Sequence, residues 1–215
     1  TSTGAISYEW ILDGVSYSTN TDQSIVFNTP GIYSIYLIAN TATCANTSST
    51  VVLTVGDCDN QNYLKQWRFG YDAGLDFTSG TPVPVVGSVM HSDEGVSSIA
   101  DGNGNLLFYT NGVTVWDRNN NQMPNGFGLL GGQLTSARNQ AIIAPDPADP
   151  NNYYIFCNDE NENQFNAGVH YSKVEMALNG GNGDVTLKNA VLCGTDQESM
   201  GGVVHDNGTD SWICI

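Results

Sequence analysis

Short apolar runs separated by turns rich in glycine and asparagine form the basic pattern of this chain. In the clearest run, Ile32–Ala39, apolar side chains occupy alternate positions, as in a strand of an antiparallel sheet. One face carries Tyr33, Ile35 and Leu37, and the other carries Ser34, Tyr36 and Ile38. The same reasoning predicts strands at Tyr8–Leu12, Ser24–Phe27 and Ser49–Val55, with a turn at Asp13-Gly14. No segment of ten or more residues keeps a helical period, so the sequence predicts an all-β fold.

A strand-turn-strand pattern occurs three times in the second part of the chain. The copies begin at Ser97, Gln140 and Gly201, and their first strands end at Ala100, Ala144 and His205. Those ends lie 44 and 61 residues apart, and repeats of this length with several strands each predict the blades of a β-propeller. Because the third copy stops inside its second strand, we expect an incomplete propeller that is truncated at its C-terminus.

The first copy shows why these repeats are interpreted as blades. Leu106–Tyr109 is continuously apolar, as expected of an inner strand that is covered on both faces. Val113–Trp116 alternates, and Asn111-Gly112 between the two runs predicts a two-residue hairpin turn.

Charge excludes two classes of partner. Only 13% of the residues are charged, and 6 basic against 22 acidic residues give a net charge of −16. Such a surface repels phosphate backbones and anionic headgroups, so we expect neither nucleic-acid nor membrane-surface binding. No apolar run approaches the length of a membrane-spanning helix, so membrane insertion is not expected either.

The cysteines leave their pairing partly open. Cys44 and Cys58 flank the predicted strand Ser49–Val55 and close a short loop, so they are candidates for a disulfide. Of Cys157, Cys193 and Cys214, at most two can pair with each other.

The segment Asp101-Gly-Asn-Gly-Asn105 has the spacing of a short calcium loop, with Asp101, Asn103 and Asn105 as candidate ligands. It contains a single carboxylate, however, and Gly112 stands where an EF-hand has its bidentate glutamate. The alternative is a hairpin turn without an ion, and the similar turn at residues 206–210 of the third copy favours it. Calcium is the one cofactor that the sequence suggests.

Other candidate groups have plain structural alternatives. His91-Ser92-Asp93-Glu94 could serve acid–base chemistry, and Asp159–Glu162 could bind a cation or a partner, but both are also typical of solvated acidic loops. Trp67, Trp116 and Trp212 could form a sugar-binding platform, although blade cores use such aromatic residues as well, and we favour the core. Nucleophile-elbow, zinc-protease and phosphate-loop motifs are absent, so no catalytic residue is assigned.

Residues 1–57 resemble the polycystic kidney disease (PKD) domain, an immunoglobulin-like sandwich. The matching positions are Trp10, Asp13-Gly14, Phe27, Pro30-Gly31, Tyr33 and Leu37. The segment is shorter than the family's domain, so the first strands of the sandwich are expected upstream or missing. The resemblance implies an extracellular spacer or adhesion module.

Residues 58–215 resemble the propeller-like region of large Bacteroidetes surface proteins, which are associated with gliding motility and exported by type IX secretion. The resemblance rests on three strings: WRFGYDAGLDF at Trp67–Phe77, DGNGNLLFYTNGVTVWDRNNNQMPNG at Asp101–Gly126, and YYIF at Tyr153–Phe156. Many of those proteins carry a type B sorting domain, which is not found in these residues. The resemblance implies a secreted or cell-surface location.

Two functions follow from these expectations. The favoured one is a non-enzymatic adhesion or ligand-binding protein, in which a PKD-like spacer precedes a propeller that binds an extracellular protein or glycan. The alternative is a secreted carbohydrate-active enzyme with a catalytic propeller and the PKD-like module as an accessory.

Overall fold

The computed structural model describes residues 5–27, 29, 31–55, 62–132, 136–194, 198–205, 207 and 210–215. Strands make up 55% of the described residues, and every strand pair among them is antiparallel. Within the described ranges the only helical segments are single 3₁₀ turns at Asn62–Leu64, Asn161–Asn163 and Asn179–Gly181. None of these turns is long and apolar enough to cross a membrane. The all-β prediction is confirmed.

The chain divides into two compact units, Thr1–Cys58 and Asp59–Ile215. The strands of the first unit are β1 Ser7–Leu12, β2 Val15–Ser18, β3 Gly31–Asn40, β4 Ala45–Thr47 and β5 Val51–Val55. They form one sheet in which β1 and β3 are central, β2 pairs with β1, and both β4 and β5 pair with β3. Trp10 pairs with Leu37 and Leu12 pairs with Ile35, which agrees with the predicted placement of Ile35 and Leu37 on one face of β3.

A tight turn at Asp13 and Gly14 joins β1 to β2, as predicted. Leu12 pairs with Val15, and both turn residues have positive φ, 49° and 77°. This is the backbone that a two-residue hairpin requires, and aspartate followed by glycine tolerates it well.

The strand predicted at Ser24–Phe27 is wrong, because these residues form no ladder. The second strand of the hairpin is Val15–Ser18, which follows the turn directly. Phe27 packs on Tyr33 instead, with ring centroids 4.4 Å apart, and the Tyr33 hydroxyl donates to the carbonyl of Thr29 at 2.7 Å. Phe27 therefore lies against the ring of Tyr33 without joining the sheet.

Among its described residues, the second unit forms four antiparallel sheets, each built from strands that are consecutive in the chain. The first sheet is β6 Gln66–Phe69, β7 Tyr71–Asp76 and β8 Val83–His91. The second sheet is β9 Ser97–Ala100, β10 Leu106–Thr110, β11 Thr114–Asp117 and β12 Gln122–Phe127. The third sheet is β13 Ala141–Asp146, β14 Asp149–Asn158, β15 Val169–Glu175 and β16 Asp184–Cys193. A terminal hairpin follows, β17 Gly201–Val204 and β18 Ser211–Cys214.

These sheets pack in chain order, with corresponding strands side by side. The first strand of the second sheet, β9, contacts β6 and β13, and β13 in turn contacts β17. The last strands β12 and β16 also contact each other. The main core lies between the second and third sheets and comprises Ile99, Leu107, Phe108, Val115, Met123, Leu129, Ala141, Tyr153, Ile155, Cys157, Val174, Met176 and Val185.

The hairpin between β10 and β11 is present, but its predicted two-residue turn is wrong. Thr110 pairs with Val115, so four residues separate the paired positions. The Asn111 side-chain oxygen accepts hydrogen bonds from the backbone N–H groups of Val113 at 3.1 Å and Thr114 at 2.9 Å. The asparagine therefore shapes a wider loop, in which Gly112 has φ 80°.

The cysteines differ in their surroundings. Cys157 is buried in the core, and burial raises the pKa of its thiol to about 12, so it stays protonated as a packing residue. Cys44 and Cys214 are exposed. The predicted pairing of Cys44 with Cys58 involves a residue outside the described ranges, so it stays a prediction.

Candidate functional site

A groove with aromatic walls opens between the third sheet and the terminal hairpin of the second unit. Its volume is about 530 Å³, which is in the usual range for small-molecule sites. Its rings come from Tyr154, Phe156 and Trp212, and its polar groups come from His205, Asp210 and Ser211. We call these six residues the aromatic groove.

The alternation of β14 places its aromatic side chains on the groove side. Tyr153, Ile155 and Cys157 point into the core, so Tyr154 and Phe156 point away from it. Tyr171, on the neighbouring strand β15, lies opposite Phe156 on the same face. The centroids of these three exposed-side rings, Tyr154, Phe156 and Tyr171, are 6.1 to 6.4 Å apart. The third sheet therefore presents a continuous aromatic surface.

The terminal hairpin supplies the other wall. Trp212 is 61% exposed, and its ring centroid lies 5.6 Å from that of His205. The backbone N–H of His205 donates to the Asp210 carbonyl at 2.8 Å, which holds the two strand ends together. A Cβ on Gly202 would lie 3.1 Å from Cγ2 of Ile142, so glycine allows the hairpin to lie close to β13.

Asp210 is positioned by the turn that it ends. Its backbone N–H donates to Oδ1 of Asn207 at 2.9 Å, and Nδ2 of Asn207 donates to Oδ2 of Asp210 at 2.7 Å. One carboxylate oxygen is thus used within the turn, while the residue still lines the groove.

A larger groove, of about 680 Å³, lies along the first strands β9, β13 and β17. Its walls are mainly aliphatic, and two of its hydroxyl groups are used in the framework. Ser97 Oγ accepts from the backbone N–H of Ile143 at 3.2 Å, and Ser98 Oγ donates to the Gln66 carbonyl at 2.7 Å. The aromatic groove, although smaller, combines three aromatic rings with the side chains of His205, Asp210 and Ser211, which can orient a ligand.

Of the His91–Glu94 segment, the structure places His91 and Asp93 in an exposed polar network, whereas Ser92 is buried. His91 Nε2 lies 3.4 Å from Oδ1 of Asp72, and both side chains are more than half exposed. The Tyr71 hydroxyl donates to Oδ1 of Asp93 at 2.5 Å, and this hydrogen bond raises the pKa of Tyr71. None of the three grooves described in this section includes these residues.

The interpretation of Asp159–Glu162 as a solvated loop is wrong for its first two residues. Asp159 and Glu160 are only 1% and 3% exposed, and both line a third groove, of about 620 Å³. The Asp159 carboxylate accepts hydrogen bonds from Asn163 Nδ2 and from the backbone N–H groups of Glu160 and Ala167, at 2.7 to 2.9 Å. Asp159 therefore stabilises the loop that contains it.

The preference for tryptophan as blade core holds only for Trp116, which is partly buried and stacks on Tyr109 with centroids 5.4 Å apart. Trp67 is 49% exposed and Trp212 is 61% exposed, so the core interpretation is wrong for both. The sequence did not predict the exposure of these two side chains, because a tryptophan in a strand can point to either face of the sheet.

The candidate calcium ligands form a self-contained turn between β9 and β10. Oδ1 of Asp101 accepts from the backbone N–H groups of Asn103 at 2.8 Å and Asn105 at 2.9 Å, and Asn105 Nδ2 lies 3.1 Å from Oδ2. Burial alone would raise the pKa of Asp101, but the hydrogen bonds from Asn105 and Asn103 outweigh it and lower the pKa.

The same turn recurs between β11 and β12, a match that the sequence reasoning missed. Asp117-Arg-Asn-Asn-Asn121 has the same D-x-N-x-N spacing. Asp117 Oδ1 accepts from the backbone N–H groups of Asn119 at 2.8 Å and Asn121 at 2.9 Å. In both turns the aspartate side chain therefore accepts hydrogen bonds from backbone N–H groups of the turn and fixes its conformation. Across the described part of the chain, no group of three or more His, Cys, Asp or Glu residues is placed to hold a metal ion.

We expect calcium to leave the melting temperature unchanged, because the Asp101 oxygens already accept hydrogen bonds from their own loop. The measurement is thermal unfolding in calcium chloride and in EDTA, for the wild type and for Asp101→Asn. A rise in melting temperature that calcium causes in the wild type and not in the variant would make Asp101 a calcium ligand.

The chain matches no family model, no curated protein and no solved structure.

Proposed function

We propose that this chain is an extracellular recognition protein, in which an immunoglobulin-like spacer precedes sheets arranged as blades of a β-propeller. The propeller interpretation is supported by four consecutive sheets whose first strands, β6, β9, β13 and β17, lie side by side. The net charge of −16 and the resemblance to Bacteroidetes surface proteins support the extracellular location.

The aromatic groove is the observation that carries this proposal. Trp212 is exposed on one wall, Tyr154 and Phe156 form the other, and hydrogen-bonding groups stand beside the rings. Rings that remain accessible in a concave site supply contact area to a ligand, and a few fixed polar groups then orient it. Such contacts hold a ligand without the help of a catalytic group, so binding is the function that the groove supports best.

We expect Trp212→Ala to weaken ligand binding by about tenfold or more, because central aromatic residues dominate the binding energy of such sites. The probe is an array of plant, animal and microbial glycans, followed by titration calorimetry of each glycan that the wild type retains. The melting temperature should stay within about 1 °C, because Trp212 is mostly exposed and contributes little to folding.

Trp67→Ala is the matched control, since it removes an equally large exposed side chain from the first sheet. The proposal fails if Trp212→Ala binds as the wild type does, or if Trp67→Ala causes the same loss. Hydrolysis of a retained glycan would favour the alternative function, a carbohydrate-active enzyme.

A further inference from the structure

We infer that the aromatic groove selects glycans without acidic groups and discriminates against those that carry carboxylate or sulfate. The inference rests on the proposed recognition function and adds the chemical class of the ligand to it. It is carried by the shape of the groove and by the charges that surround it.

The size of the groove favours a small ligand over a folded protein. Its volume of about 530 Å³ lies within the range of about 300–1,000 Å³ that is typical of concave small-ligand sites. The carbon-bound hydrogens of a pyranose ring can pack on the faces of Trp212 and Tyr154. Its hydroxyl groups can then exchange hydrogen bonds with Ser211, His205 and the remaining acceptor positions of Asp210.

The charge beside the rings is negative. Lys173 lies directly opposite Tyr154 on the neighbouring strand, and therefore on the same face of the third sheet. Its ammonium group is 4.0 Å from Oδ2 of Asp146 and 3.9 Å from Oε1 of Glu175. The Lys173 side chain is only 25% exposed, so it is held between these carboxylates and is not directed to a ligand.

The formal charges of the side chains near the groove add up to a negative total. Asp210 lines the groove, Asp146 lies between the lining residues Pro145 and Pro147, and Glu175 and Lys173 share the sheet face of Tyr154. These four side chains carry three negative charges and one positive charge. None of the residues that line the groove is a lysine or an arginine. An acidic sugar would therefore approach a site whose surrounding side chains carry net negative charge, and no basic side chain lines the groove to receive it.

The experiment uses probe pairs that differ only in charge. Suitable pairs are oligogalacturonate with its methyl ester, and a sulfated galactan oligomer with its desulfated form, each titrated calorimetrically into the full chain. We expect the uncharged member to bind about tenfold more tightly at low salt, with a smaller difference at high salt because the repulsion is screened.

A variant with altered charge tests the cause of this preference. Asp146→Asn with Glu175→Gln removes both partners of Lys173, and we expect it to raise affinity for the acidic member about tenfold while leaving the uncharged member unchanged. Asp22→Asn with Glu162→Gln makes the same change in net charge outside the groove, and it should alter neither affinity by more than about twofold at moderate salt, where distant charges are screened.

The outcomes separate this inference from the proposed function. If the acidic member binds as tightly as its uncharged partner and Trp212→Ala abolishes both, selection is disproved while recognition at the groove stands. If the two double variants have equal effects, the carboxylates around Lys173 are not the cause, and the inference is overturned. If no member of any pair binds, the recognition function fails together with this inference.

Discussion

Replacing Phe108 with alanine is expected to lower the free energy of unfolding by about 3–5 kcal/mol, the usual cost of deleting a buried aromatic ring. Phe108 is fully buried between the second and third sheets, and its ring meets that of Tyr153 edge-on with centroids 5.5 Å apart. Truncation would leave a cavity at the contact that holds these two sheets together. Urea denaturation of the full chain, followed by tryptophan fluorescence, measures the loss.

Phe127→Ala is the control for this substitution. It removes the same ring from β12, where Phe127 is 61% exposed, and should cost less than about 1 kcal/mol. Equal losses for the two variants would contradict the placement of the core between the second and third sheets. Because Tyr153 precedes Tyr154 on β14, a disturbed core should also disturb the aromatic groove on the other face of the third sheet.

The second large effect is expected for Gly95→Ala, which places a methyl group where the structure has no room for one. A Cβ at Gly95 would overlap the backbone nitrogen of Gln140 and lie 2.6 Å from the carbonyl oxygen of Ala137. Both neighbours are backbone atoms, so no side-chain rotation relieves the clash. We expect a loss of about 1–3 kcal/mol or more, measured as a fall in melting temperature of several degrees.

Gly102→Ala is the matched control for Gly95→Ala. No atom lies within 4 Å of a Cβ built at Gly102, and its φ is not in the positive range, so this variant should melt near the wild-type temperature. A Gly95→Ala protein as stable as the control would show that the chain before β9 is not packed against the segment that leads to β13. That contact matters for the proposed site, because Ala144 and Pro145 of β13 also line the groove.

Several features could be predicted from sequence because they depend on neighbouring residues. Asp13-Gly14 predicted its turn through the positive φ that aspartate and glycine tolerate, and the alternation of Ile32–Ala39 predicted which side chains share a face. Leu106–Tyr109 was identified as a covered strand by its unbroken apolar run, and it is largely buried. Each inference needed only the geometry of the local backbone.

Other predictions failed because distant parts of the chain changed the surroundings. Ser24–Phe27 has strand-forming residues, but β1 pairs with the nearer Val15–Ser18, and closing a short hairpin costs less entropy. From sequence, Asp159 and Glu160 were expected to be solvated. Hydrogen bonds from Asn163 and Ala167 offset the desolvation cost of burying the Asp159 carboxylate, and both donors follow it in the loop.

The sequence by itself determined the strand content, the turn chemistry and the acidic character of this protein, because these depend on residue type and short-range period. Only the tertiary structure decided where a ligand could bind. Tyr154 and Phe156 lie 58 and 56 residues before Trp212 in the chain, and only the packing of the terminal hairpin beside β13 brings the three rings to one groove. The pairing of Lys173 with Asp146 and Glu175, which makes that groove negative, likewise depends on strand register.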